Sequence, residues 1–378
     1  MPTEYFFSNK VFIRNAEADK GDIMLDNVQA IVLAGGISER FHTGKTKLLE
    51  KICGTEMILY PINLLKSLHI PTTLVVGYQH ERIKQTVQSK HPNITFVFQQ
   101  DPLGTGHAIQ ITNHIWSQDH ILIMSGDIPL VTPDIINKLY RKHTKSDADI
   151  SFVTAHVDAD SNQYSRVVID NQKIKIMEES DPEIDASHCC ISAGIYLAKR
   201  SFLEKHINQL TKDETTGEYY LPELVQIASE HQCKIVTAQV SFDIVRSVET
   251  LADLWAIEHI SRSRLLQHWM NHGVRFANTL NVVIDETVHI EPGCFIGAGA
   301  ILTGATFIQK GCTIGAYSQI DNSIIEDGTT IPSHIMISNA IITRQTSLQP
   351  FTQHKGSSAE PIAGIVFAEL KKNEVAQQ

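Results

Sequence analysis

The sequence predicts an α/β chain: a mostly parallel sheet with helices on both faces, followed by a short β-helix. Three observations carry this. Short β-rich runs alternate with helical patterns from Gln29 to about Ile244. Glycine-polar turns, "LAGG" from Leu33 and "SGD" after Met124, fall where strands should end. After Val282, aliphatic residues recur every six positions.

Taken in order, Gln29–Ala34, Thr73–Gly77, Ile94–Gln99 and His120–Met124 read as strands. Between them, Glu56–Leu68, His80–Ser89 and Thr105–Trp116 carry apolar residues at helical spacing. The next stretch changes character: Ile150–Val157, Arg166–Ile169, Lys173–Met177 and Cys190–Leu197 look like strands with few helices between them. Helical patterns return at Glu218–Ser229 and at Glu249–Met270, the second as a connecting helix. The expected divisions are an extension over 1–27, a sheet domain over 28–248, a linker helix over 249–273, a coil over 274–355 and a tail over 356–378.

In the coil, Ile284, Ile290, Ile296, Leu302, Ile308, Ile314 and Ile320 hold a period of six. The phase slips by one residue and resumes at Ile325, Ile331 and Ile337. A sandwich would show period two. Stacking at this period gives a coil of roughly three turns of about eighteen residues each. His289 and His334 in the repeats read as exposed coil-face residues.

Composition removes several classes. With 32 basic and 42 acidic residues the chain carries −10, which argues against a general nucleic-acid binder but leaves room for a local phosphate pocket. No apolar segment approaches the ~20 residues of a membrane helix, and no basic-then-apolar leader opens the chain. The six cysteines show no CxxC spacing, and reduced, mostly buried thiols in a cytoplasmic protein are the expectation.

The chemistry-bearing motifs sit at the strand ends. In "AGGISERFHTGKTK", a Gly-rich turn lets backbone N–H groups approach a phosphate or base, and Arg40 and Lys47 supply positive charge. Neither a P-loop nor a GxGxxG fingerprint is present. A surface loop with solvated basic residues is the plainer alternative. "QQDPLGTGHAI" places a second glycine turn before a helix, and "LIMSGDIPL" places Asp127 after a buried strand, where a carboxylate holds a hard cation or merely caps a turn.

Together, "LAGG", Arg40, Lys47, "Q…LGTGHA", "GDIPL", "GEYY" and the six-residue repeats resemble the bacterial N-acetylglucosamine-1-phosphate uridylyltransferase fused to a glucosamine-1-phosphate acetyltransferase. The resemblance runs from about Gln29 to Gln353. It implies a Rossmann-like, GT-A-like nucleotidyltransferase domain followed by a left-handed parallel β-helix. Leu33, Ala34, Gly35 and Gly36 then match the nucleotide cradle, and Arg40 and Lys47 the phosphate-handling pair. Gln99, Gly104 and Thr105 match the uracil-recognising turn, with Ser125 and Gly126 leading into the metal-binding Asp127. Glu178 matches a sugar-contacting carboxylate.

The implied reaction joins UTP and a sugar 1-phosphate, N-acetylglucosamine 1-phosphate first among them, with Mg²⁺ as cofactor and pyrophosphate as the other product. No nucleic acid or membrane partner is implied. A homotrimer formed through the coil is, with Phe295, Ile301 and Phe307 as outward contacts. The departures gather on the sugar side. There Ser165 stands for a glycine, Ser192 for an asparagine and Glu249 for a second, metal-binding asparagine; in the phosphate-handling loop, Thr46 stands for the proline that usually precedes the lysine. Nothing matches the acetyltransferase histidine, so acetyl transfer is not expected. Another sugar or nucleotide, or a catalytically weak nucleotide-sugar scaffold, remain the alternative readings.

Overall fold

The computed structural model of the protein describes residues 25, 27–157, 164–170, 173–177 and 189–356. Among these, the chain divides into two compact units. One takes the residues up to Glu50 together with Glu56–Leu254, and the other takes Lys51–Thr55 and the residues from Trp255 onward.

The first unit is built on a nine-stranded sheet. Its strands are β1 (Val28–Ala34), β2 (Thr72–Val76), β3 (Thr95–Phe98), β4 (His120–Ser125), β5 (Ile150–His156), β6 (Arg166–Asp170), β7 (Lys173–Met177), β8 (Cys190–Lys199) and β9 (Ile235–Val240). The order is β9-β5-β8-β4-β1-β2-β3, with β6 and β7 forming a hairpin off β8. β8 runs antiparallel to both neighbours, while the β4-β1-β2-β3 portion is parallel throughout. "VQAIVLA" of β1 and "ILIM" within β4 are buried on both faces, which is why they read as unbroken apolar runs rather than alternating ones.

The carboxyl ends of β1 to β4 therefore share one edge. Strand order reverses between β1 and β4, since β2 and β3 lie on one side of β1 and β4 on the other. Such a switch point leaves a crevice outside the strand ends.

Several expected elements differ in detail. Helix α1 covers Leu59–Ser67 and α2 covers His80–Lys90. The expected helix to Trp116 stops as α3 at Gln110, where Thr112 Oγ1 donates to Ile109 O (2.7 Å) and accepts from Trp116 Nε1 (3.0 Å). A hydroxyl bonding locally competes with helix propagation. Helix α4 (Pro133–Lys145) and α5 (Arg200–His206) are additional, as is β9. The helix expected from Glu218 begins only at Glu223, as α6 (Glu223–Glu230). Pro222 disfavours helical backbone before it, and Tyr219 is instead drawn into an extended bridge with Lys212.

From Trp255 the second unit holds the rest of α7 (Leu251–Asn271), which leads into three parallel sheets of four, five and four strands. The stack is thus about a turn longer than expected, an arrangement consistent with a β-helix. Ile284 pairs with Leu302 and Leu302 with Ile320, eighteen positions apart, and Ile320 pairs with Ile337 at seventeen. Every aliphatic position of the period is buried, and Ile342 extends the series. Leu265, Leu266 and Trp269 of α7 close the coil's apolar core.

Two outward assignments change. Phe307 is fully buried (0%), and His289 is covered by the Trp269 and Phe307 rings at 5.3 and 5.2 Å. Burial, with His268 and His272 nearby, pushes the His289 imidazole down to about 4. His334 is exposed and stacked between Tyr317 and Phe351. Cys53, Cys294 and Cys312 are buried, whereas Cys189, Cys190 and Cys233 are half-buried, so burial is less general than composition suggested.

Candidate active site

Backbone bonds at the sheet edge bring the strand-end loops together. Gly126 N donates to Leu33 O (2.9 Å), joining the ends of β4 and β1. Gln99 N donates to Val76 O (2.8 Å), and Tyr78 N to Gly35 O (3.3 Å). A Cβ on Gly77 would lie 2.8 Å from Gly35 O, so glycine is what lets these two loops touch.

The second glycine turn is fixed from two directions. Gln99 Nε2 donates to Gly104 O at 3.0 Å. Gly104 has φ +89, and a Cβ there would meet Tyr219 O at 2.6 Å. Tyr219 in turn donates to Leu103 O (2.9 Å) and accepts from Gly106 N (2.7 Å), while Leu221 N donates to Thr105 Oγ1 (3.0 Å). The "GEYY" segment is thereby stitched beside Thr105.

The charged centre is Lys47. Its Nζ lies 2.7 Å from Asp127 Oδ2 and 2.8 Å from Glu249 Oε2, and Arg40 Nη2 is 4.0 Å from the same Glu249 oxygen. Ser38 Oγ accepts from Lys47 N (3.1 Å), and Thr46 Oγ1 caps the short turn that follows. Val248 N donates to Asp127 O (3.0 Å), which sets Glu249 next to Asp127. Thr250 and Asp253 then form a capping box, Thr250 N to Asp253 Oδ2 (2.8 Å) and Asp253 N to Thr250 Oγ1 (3.2 Å), and the helix starts immediately after Glu249.

Burial favours neutral lysine, but the Asp127 and Glu249 carboxylates outweigh it and hold Lys47 above its ordinary value. Burial, then the negative Asp127, pushes Glu249 up. Lys47 partly opposes this. Asp127 Oδ1 is buried with no hydrogen-bond partner.

Beside this cluster lies a cavity of about 530 Å³, lined among others by Leu33, Arg40, Thr105, Ser125, Asp127, Ser165, Ser192 and Glu249. Seven of the expected residues (Ala34, Gly35, Gly36, Lys47, Gln99, Gly104 and Gly126) are not among the cavity's lining residues. Glu178 lies outside the described residues. Ser192 sits at a register shift in β8, and its hydroxyl shares a 2.8 Å hydrogen bond with Tyr196 OH. Ser165 O accepts from Ser192 N (3.1 Å), so both serines occupy one wall.

Sequence reasoning had not assigned Tyr164, Tyr196, Thr216, Glu218 or Tyr220, which also line the cavity. "GEYY" was the available signal for two of them. Burial, with Asp213 and Glu39 nearby, raises the Glu218 carboxyl above its ordinary value.

The donor set suits a hard cation shared with a ligand. Mg²⁺ typically takes one or two carboxylates and fills its shell with phosphate oxygens and water. Asp127 and Glu249 supply the carboxylates, and the unpartnered Asp127 Oδ1 is an available oxygen. Among the described residues, no group of three or more His, Cys, Asp or Glu forms a metal cluster by itself.

Loops at a parallel-sheet switch point, a lysine between two carboxylates and an adjoining cavity define a nucleotidyltransferase, and comparison with known proteins bears on the same class. A family model described as the MobA-like NTP transferase domain matches residues 30–216, and the GMPPB C-terminal domain matches 279–363. The chain belongs to the family of the bifunctional protein GlmU. It is 31% identical over 299 residues to that protein from a Nitratiruptor species, covering 78% of this chain and 68% of the relative. The Clostridium novyi protein is 30% identical, covering 79% and 66%, and the Exiguobacterium sibiricum protein 30%, covering 79% and 67%. The chain thus spans about two thirds of these relatives' length. Among the described residues, no helix is long and apolar enough to cross a membrane.

Proposed function

We propose that the protein transfers a uridylyl group from UTP to a sugar 1-phosphate, N-acetylglucosamine 1-phosphate first, releasing pyrophosphate. The observation that carries this is the Lys47 ammonium held between Asp127 and Glu249 at the strand ends, beside the cavity. A phosphate oxygen of the sugar phosphate attacks the α-phosphorus of UTP, a new P–O bond forms, and the bond to pyrophosphate breaks. The nucleophile is already ionised at neutral pH, so no general base is needed. Positioning and charge neutralisation by Lys47 and Arg40 then do the work of the protein. Asp127 and Glu249 would hold Mg²⁺, which supplies further charge neutralisation at the phosphates when bound.

Release of pyrophosphate over a panel of sugar 1-phosphates and nucleoside triphosphates tests the reading. Turnover is expected with UTP and N-acetylglucosamine 1-phosphate, and none in chelator. The Ser192–Tyr196 hydroxyl pair favours one specific alternative, a sugar with a different substituent at that wall, which the same panel would reveal. No turnover of any pair would leave the scaffold reading. The same preparation should release no CoA from acetyl-CoA with glucosamine 1-phosphate, because no residue over 274–355 matches the acetyltransferase histidine; detectable CoA would overturn that part.

We also propose that the coil winds left-handed and assembles the chain as a homotrimer. Half-buried Phe295 and Ile301 support this, whereas buried Phe307 no longer does. Light scattering should give about three times the 42.2 kDa chain mass. A monomer at micromolar concentration would sink the assembly.

A further inference from the structure

We propose that Gln79, outside the cavity lining, is the positioning residue that sets the loop carrying Lys47. Its backbone has φ +53, in the left-handed region that costs a non-glycine residue free energy unless something offsets it. What offsets it is the side chain. Gln79 Nε2 donates to Gly44 O (3.1 Å), and Gln79 Oε1 accepts from Thr46 N (3.3 Å) and from Arg82 Nη1 (3.0 Å). Tyr78 OH donates to the same Gly44 carbonyl at 3.0 Å. One amide thus grips both ends of the Gly44–Thr46 segment, and Thr46 is the residue before Lys47.

The segment has little else to hold it. His42 to Lys45 are exposed and Gly44 has φ +65; besides the Tyr78 bond, the segment has the long Thr43 Oγ1 contacts to Lys45 N (3.4 Å) and Lys45 O (3.5 Å), and Ser38 Oγ holds Lys47 N. Its conformational freedom would otherwise be large. Gln79 itself sits on firm ground, at the start of α2 and one residue beyond the glycine loop that closes against Gly35. The tether therefore references the lysine to the sheet edge. Displacements of about 1 Å in such a group cost roughly 10²-fold in rate.

The reading rests on the nucleotidyltransferase function proposed above, so the test has one arm that does not depend on turnover. Gln79→Gly keeps the backbone conformation at no steric cost and removes the grip; relief of the left-handed strain offsets the lost bonds and the added chain entropy, so the variant should stay folded and melt close to the wild-type temperature. In that folded variant, hydrogen exchange of the amides from Thr43 to Lys47 should quicken by about tenfold or more, while exchange in β1 and β4 is unchanged. In pyrophosphate release, kcat should fall by about 10- to 100-fold. Gln79→Glu keeps the acceptor for Thr46 N but turns a carboxylate oxygen, which cannot donate, onto Gly44 O, so it should recover at most part of the loss, and Gln79→Gly should add little to Lys47→Ala.

Unchanged exchange in Gln79→Gly overturns the tether whatever the enzyme's activity. Faster exchange with wild-type kcat overturns its role in catalysis. If the wild type turns over no substrate pair, the function fails while the exchange arm still decides the tether.

Discussion

Lys47→Met is expected to lower kcat by roughly 10²-fold or more, because an ammonium placed against developing phosphate charge is worth several kcal/mol. Its side chain is 12% exposed, and both of its partners are carboxylates. Removal of the cation therefore leaves Asp127 and Glu249 facing each other, and a pH signature follows. In the wild type, the raised Lys47 value means the pairing contributes stability below 10.5 that is lost only as pH rises through the higher folded-state value. In the variant, Glu249 loses the group that opposes its upward shift. A carboxyl raised in the fold favours the folded state below its ordinary 4.5 and loses that advantage as pH rises through the folded value. Melting temperatures at about pH 5 and about pH 8 should thus diverge more in Lys47→Met than in the wild type. A variant that loses only affinity, with kcat intact, would make Lys47 a ground-state anchor.

Asp127→Ala should abolish pyrophosphate release without unfolding the chain. The link from Val248 N to residue 127 uses the backbone carbonyl, so the strand-end connection survives truncation of the side chain. What disappears is the carboxylate whose Oδ2 meets Lys47 and whose Oδ1 is buried without a partner. Loss of the unsatisfied Oδ1, a group that costs about 1–3 kcal/mol when buried, offsets part of the lost Lys47 pairing, and Lys47 keeps Glu249 at 2.8 Å, so the fold should survive with at most a modest loss of stability. Turnover at the wild-type rate in Asp127→Ala, or in wild type with chelator, would remove this carboxylate from the chemistry. Circular dichroism of the same sample separates loss of chemistry from loss of structure.

The parts of the fold that were legible are those where one physical pattern dominates. β1 and β4 lie in the parallel portion of the sheet and bury both faces, and their apolar runs have no other easy explanation. The coil positions from Ile284 to Ile337 repeat because each must sit on its counterpart in the next turn. β9 was not legible, since at the sheet edge most of its residues are only half-buried. Phe307 and His289 misled because sequence spacing fixes which residues point into the coil but not what packs on its outside, and Trp269 comes from a helix. Within the site, Lys47, Asp127 and Glu249 could be listed one by one, but their meeting at under 3 Å could not. That depends on the Val248–Asp127 bond between segments far apart in the chain. Gln79 carried no sequence signal, because its role lies in a backbone conformation that glutamine rarely adopts.

The seventeen- and eighteen-residue turns of the coil sit side by side without loss of register. The missing residue is taken out at the corner after Ile320, where Asn322 has φ +43 and its Oδ1 accepts from Ala305 N (2.9 Å). Each turn touches only the turns before and after it, so its contribution is local. A structure assembled this way has length as an independent variable. Single residues can be deleted at corners, and whole turns gained or lost at an end, while the remaining turns keep their side-chain environments. Over evolutionary time such a part can drift in extent far faster than in cross-section, and the catalytic sheet needs no compensating change when it does.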